Sequence, residues 1–210
     1  MDLAQPATGA RTTWLAGSRM AGVLLFVLAA QFMIVIMLAA SIAPDYDFSA
    51  AAISDLGVIT ETALLFNVSL LAVGVLNIMG GYLFYRSHRN AWILALFVLA
   101  GLGAIGAGLF PLDSAGPHGL FALLAFVAFN LEAITVAAVV SGPMKALSVL
   151  AGVVGLVFVA LMAIGDSGDV AAFGSIGHGG TERMIVYPVM VWMLALGGYL
   201  MATCDDSPTP

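Results

Sequence analysis

Two histidines, three carboxylates and one arginine stand in the short polar stretches of an otherwise apolar chain. They are Asp55 within Ser54-Asp55-Leu56-Gly57, Asp113 and His118 after Phe110-Pro111-Leu112, and the run His178-Gly179-Gly180-Thr181-Glu182-Arg183. Imidazole titrates near neutrality and binds zinc as a neutral ligand, so His118 and His178 are candidates for acid-base chemistry or metal ligation, with Asp55 and Glu182 as partner carboxylates. No H-E-x-x-H or comparable spacing occurs; the sequence permits a metal without calling for one and leaves any cofactor open. Arg183 with Gly179 and Gly180 reads as a substrate-binding anion site. The glycines turn the backbone, Thr181 caps the helix that follows, and the helix offers free N–H groups and a positive dipole end to a phosphate. Beside that dipole end Arg183 needs a negative partner, either a lipid phosphate or a carboxylate such as Asp55, Asp113 or Glu182; in the plainer alternative it only pins loops together. A loop hydrogen bond is the plainer role for each histidine, and a turn or cap for Ser54.

A second group lies in the apolar runs. Glu132 is the one carboxylate well inside a run, about 12 Å from its inner end at 1.5 Å per helical residue, with Asn77 at the same depth and Asn130 and Gln31 at about 15 to 17 Å. These groups either satisfy one another by interhelical hydrogen bonds, with Glu132 as a neutral acid, or mark a proton or cation path. Glu132 and Asn77 would then serve a small ion- or proton-coupled carrier, although no second membrane carboxylate continues the path.

The elements that must position these residues follow from composition. A chain of 210 residues, 62% hydrophobic and 9% charged, exposes more apolar surface than one soluble core can bury. Six runs are each long enough to cross a hydrocarbon layer: 20–43, 63–85, 91–111, 119–140, 146–165 and 184–203. They are continuous and rich in Leu, Ala, Val and Gly rather than alternating, which excludes a membrane barrel and predicts an all-α, polytopic bundle of six transmembrane helices forming a single domain over 1–210. The first run ends in a small-x-small triplet, Ser41-Ile42-Ala43, but it is too long for a signal-peptide core and reads as a helix. The small residues Ala100, Ala104 and Gly108 on the third run predict close helix packing. The single Cys204 excludes a disulfide within the chain. No basic patch for nucleic acid is present, and the net charge of -6 with one lysine resembles the usage of salt-adapted organisms.

Orientation follows from the cations. With the N-terminus cytoplasmic, Arg11, Arg19, Arg86, Arg89 and Lys145 are inside and only Arg183 is outside, so both termini are expected in the cytoplasm of a multi-pass cell-membrane protein. The turns 86–90 and 141–145 are then inner. The loops 44–62, 112–118 and 166–183 are outer, and they hold eight carboxylates and two of the three histidines.

Ile53-Ser54-Asp55-Leu56-Gly57, Phe66-Asn67, Gly108-Leu109-Phe110-Pro111 with His118, and Gly179-Gly180-Thr181-Glu182-Arg183 ending in Tyr187-Pro188 resemble the recurring marks of a family of six-helix membrane proteins, domain of unknown function 998. The resemblance covers nearly the whole membrane portion and implies a six-helix fold with a site on the outer loops that includes Asn67, but no settled activity. In architecture the chain is more remotely similar to the Frag1 and DRAM-like lipid-remodelling membrane proteins. The leading expectation is an enzyme or binding protein directed at a lipid headgroup, with membrane lipids as partners; the carrier and a purely structural or partner-binding protein are the alternatives.

Overall fold

The computed structural model describes residues 8–202 except 115, and side chains from residue 17 onward; Cys204 and the side chains of Arg11 and Trp14 lie outside the described residues. Six helices follow one another: α1 (Thr8–Ile42), α2 (Ala63–His88), α3 (Ala91–Leu109), α4 (Pro117–Val136), α5 (Pro143–Asp166) and α6 (Gly177–Ala202). Two short 3-10 segments, Ser54–Gly57 and Val170–Ile176, lie in the connections, and no strand occurs among the described residues. All six helices are long and apolar enough to cross a membrane.

Local chemistry sets most of the helix ends. The α2–α3 turn closes on Arg89 in the left-handed region (φ 54) and on Asn90, whose side chain accepts from the N–H groups of Trp92 and Ile93. The fourth and fifth helices start two or three residues before the runs 119–140 and 146–165, each by the same device. Gly116 (φ 118) and Gly142 (φ 60) take backbone conformations that suit glycine, and Pro117 and Pro143 occupy the first turn, where a missing N–H costs nothing.

The largest difference from the sequence reading is at the sixth helix, which begins at Gly177 rather than at residue 184. Gly179 and Gly180 are therefore helical and not a turn, and Thr181 donates its hydroxyl back to the Gly177 carbonyl (2.9 Å) instead of capping the helix. Arg183 accordingly sits in the second turn, away from the first free N–H groups.

Each helix packs on its sequence neighbours, and α1 packs on α6 to close the ring. Close approach relies on glycine. A Cβ on Gly22 would lie 2.7 Å from the Gly197 carbonyl oxygen, and one on Gly197 would lie 2.8 Å from that of Gly22, so α1 and α6 touch backbone to backbone. Between α2 and α3 a Cβ on Gly101 would lie 2.6 Å from the Gly74 oxygen. Large apolar side chains point outward all round, Leu64 at 79%, Leu120 at 69% and Ile34 at 64% exposure among them, as a lipid-facing surface requires. One end of the bundle, the capped end, carries the segments 43–62, 110–114 and 167–176.

Candidate functional site

The loop after α1 is not draped over the bundle but hydrogen-bonded into it. Arg183 donates from Nη1 to the carbonyl oxygens of Phe48 (2.8 Å), Ala51 (3.0 Å) and Gly179 (2.7 Å), and from Nη2 to the Tyr46 hydroxyl (2.7 Å). The guanidinium also stacks over the rings of Phe48 (4.8 Å) and Tyr46 (5.5 Å). Loop carbonyls and the Tyr46 hydroxyl thus hold Nη1 and Nη2, Nε is buried without a partner in the chain, and no ion pair to a carboxylate forms at Arg183 among the described residues. The Gly179 N–H donates to the Ser49 carbonyl (2.9 Å), and a Cβ on Gly179 would collide with the carbonyl oxygens of Phe48 and Ala51. Glycine is needed there so that the loop can reach the helix.

The same loop is stapled elsewhere. Tyr46 donates to the Ala52 carbonyl (2.6 Å), and Asp55 Oδ2 accepts from the Ala52 N–H (2.8 Å). Asn67 donates to the Gly57 carbonyl (2.9 Å), and buried Glu182 accepts from the Ile53 N–H (2.5 Å). Burial pushes the Tyr46 phenol up to about 12, against the opposing pull of the adjacent Arg183. Two backbone and hydroxyl donors at Ser49 and the N–H of Ala50 hold the exposed Asp47 carboxyl below its usual range.

The other side of α6 borders open space. A cavity of about 340 Å³ lies between α4, α5 and α6, and Ser54, His118, Asp166, His178 and Glu182 supply its polar lining. Leu123 and Ala163, exposed on α4 and α5, border it. An inner chamber of about 70 Å³ shares Ser54, His118, Ala122, Phe126, Glu182 and Ile185 with it and continues between apolar side chains as far as Asn130. From His118 to Asn130 is twelve residues of α4, or about 18 Å of depth.

His118 is 6% exposed, and its Nδ1 lies 2.8 Å from the Phe110 carbonyl oxygen. A carbonyl only accepts, so Nδ1 carries a proton, and Nε2 makes no hydrogen bond within the chain. His178 Nε2 lies 3.3 Å from Asp166 Oδ1, with the Phe173 ring edge-on at 5.1 Å. The cavity wall therefore holds a His–Asp pair, a second oriented imidazole, a buried carboxyl and a hydroxyl, which is an arrangement able to accept hydrogen bonds and to move protons.

Of the residues expected at an outer site, the structure brings His118, His178 and Glu182 to one cavity. Arg183, Gly179, Gly180, Asp55 and Asn67 lie outside its lining; all but Gly180, which faces Ile176, serve the loop, and Asp113 is exposed beside the cavity. Asp166 and Ser54 join the cavity. Asp166 carried no local motif, since it is paired only by the folding of 167–176 over the end of α5, whereas Ser54 was visible as a polar neighbour of Asp55. Tyr46 and Phe48, which flank Asp47, form the aromatic seat of Arg183 that sequence reasoning missed; two aromatics in an acidic loop were its only signal. Among the described residues no three His, Cys, Asp or Glu side chains come together as a metal cluster.

The interior amides and acid separate into three sites. Asn77 donates to Glu132 (3.0 Å) and to the Phe97 carbonyl (3.0 Å). Gln31 accepts from Ser69 (2.8 Å), and Asn130 donates to the carbonyls of Phe126 and Ile185. Only Asn77 and Glu132 pair directly; Oε1 of Glu132 and Oδ1 of Asn77 remain without a partner.

A family model described as a protein of unknown function, DUF998, matches residues 20–199. The chain belongs to this family. No curated protein and no solved structure matches it. The DUF998 match spans all six helices, so both the pinned loop and the cavity lie inside the family's region.

Proposed function

We propose that this DUF998 protein binds an amphipathic molecule of the membrane, such as a lipid, holding its polar head in the cavity between α4, α5 and α6. The observation that carries the reading is the gradient along that cavity. Titratable and hydroxyl groups line its mouth at His118, His178, Asp166, Glu182 and Ser54, and the chamber behind is walled by apolar side chains such as Phe32, Leu70, Phe129 and Met190. A volume of about 340 Å³ falls in the range of small-molecule sites, and the border at Leu123 and Ala163 offers a tail a route into the bilayer between α4 and α5. With the arginines and lysine of the opposite end in the cytoplasm, the capped end faces outward from the cell membrane and the head comes from the outer leaflet. The oriented imidazoles allow acid-base chemistry on a bound head, so binding and catalysis are successive uses of one site.

Ala122 lines both the cavity and the inner chamber, and Ala122→Phe fills their junction. In the purified protein this variant should lose the lipids that co-purify with the wild type in native mass spectrometry, while keeping its helical circular dichroism; retention of the same lipids would refute the reading. Ala172→Cys should react with an impermeant thiol reagent from outside the cell, and Ser87→Cys should not.

A further inference from the structure

The polar lining of the cavity is unequal in kind. Asp166 and Glu182 are carboxyls, and His118, with Nδ1 given to the Phe110 carbonyl, has no hydrogen bond at Nε2 although the residue is 6% exposed. His178 engages Asp166 through Nε2. The carboxyl oxygens of Asp166 and Glu182 offer lone pairs, and the Ser54 hydroxyl both donates and accepts. No lysine or arginine lines the cavity. Arg183 is the one Lys or Arg at the capped end among the described residues, against eight carboxylates there, and its Nη1 and Nη2 are held by the carbonyls of Phe48, Ala51 and Gly179 and by Tyr46.

Resting on the proposed amphiphile site, we infer that the head it selects is a hydrogen-bond-donating cation, the amine of a long-chain primary amine or amino alcohol, and not a phosphate. An ammonium brings three donors and no acceptor, the complement of this wall, and its charge is drawn by the carboxylates of the capped end. A phosphate brings acceptor oxygens and negative charge to carboxyls in a wall that holds no lysine or arginine, so it is desolvated without a cationic partner. The phosphate role expected for Arg183 is thereby transferred to no other residue of the cavity.

The experiment uses the full chain in a neutral maltoside detergent with dodecylamine, dodecanol and dodecyl phosphate at matched concentrations, read by native mass spectrometry and by the shift in melting temperature. Dodecylamine should bind saturably and raise the melting temperature, dodecyl phosphate should do neither, and dodecanol should fall between them. Asp166→Asn should weaken dodecylamine tenfold or more. Dodecyl phosphate binding as tightly as dodecylamine, or an amine affinity untouched by Asp166→Asn, would overturn the inference. Equal binding of all three chains, lost together in Ala122→Phe, would sink the head selectivity and leave the amphiphile site standing. Binding of none, or binding indifferent to Ala122→Phe, would remove that site and the inference with it.

Discussion

Glu182 and Arg183 are neighbours in sequence, yet they face two differently built regions. Arg183 points into the loop after α1, where its Nη1 and Nη2 and the carbonyls around them are matched and where Gly179 lets backbone touch backbone. Glu182 gives one oxygen to the Ile53 N–H of that loop and also borders the cavity, whose imidazoles and carboxyls are oriented but only partly engaged. The pinned side has the signature of stability, since its buried polar groups, Nε of Arg183 excepted, find partners within the chain. The cavity side keeps unmatched capacity beside open space, as a binding surface requires. A charged residue at an outer loop is therefore no guide to a ligand until its partners are known.

If that division is right, the largest effect of a single substitution should come from Arg183→Met, which strips the carbonyls of Phe48, Ala51 and Gly179 of a charged donor. A loss of roughly 3 kcal/mol or more is expected, read as a lower melting temperature in detergent and as new proteolysis within residues 43–62. A loop that stays protected would show that the pinning lies elsewhere.

Next comes the seam below the cavity. A Cβ on Gly155 would lie 2.7 Å from Asn130 Nδ2 and closer still to its Oδ1, so Gly155→Ala must displace the Asn130 amide from its hydrogen bonds or part α5 from α4. A cost of about 1–3 kcal/mol is expected, together with a change in bound lipid; unchanged melting with unchanged lipid content would mean that the seam does not set the cavity's width.

The pinned side also predicts a pH response. The Tyr46 phenol is raised from 10.0 to about 12, so the folded chain holds its proton where the unfolded chain has lost it. The stabilisation is whole below pH 10 and declines as pH rises through about 12, and Tyr46→Phe should remove that decline. Tyr46→Phe should itself cost about 1 kcal/mol for its lost hydrogen bonds. A wild-type chain with the same alkaline profile as the variant would contradict the burial.

The smallest effect belongs to the cavity side. His178 and Asp166 are half exposed, and His178→Asn should change stability by no more than about 0.5 kcal/mol. Its consequence should appear in ligand binding instead. A large loss of stability in this variant would place His178 among the structural residues and erase the contrast.

How far all this was legible depends on range. Six helices could be read because each is a continuous apolar run, and the turn at Arg89 and Asn90 is local chemistry. Prolines 117 and 143 begin α4 and α5 two or three residues before the apolar runs, because proline suits the first helical turn whether or not that turn is apolar. The start of α6 was misread for a stronger reason. Gly179-Gly180 has the local character of a turn, and it is helical because the backbone of residues 48–51 lies against it.

Composition and hydropathy alone determined that the chain crosses a membrane and where, because the energy of burying a run in lipid is summed residue by residue along the chain. Which polar residues stand together was decided only by tertiary structure. Arg183 meets residues more than 130 positions away, and the pairing of His178 with Asp166 depends on the path of the segment between them. Hydrogen bonds have a range of about 3 Å and a direction, so they respond to where the chain brings two groups in space and not to their types in sequence.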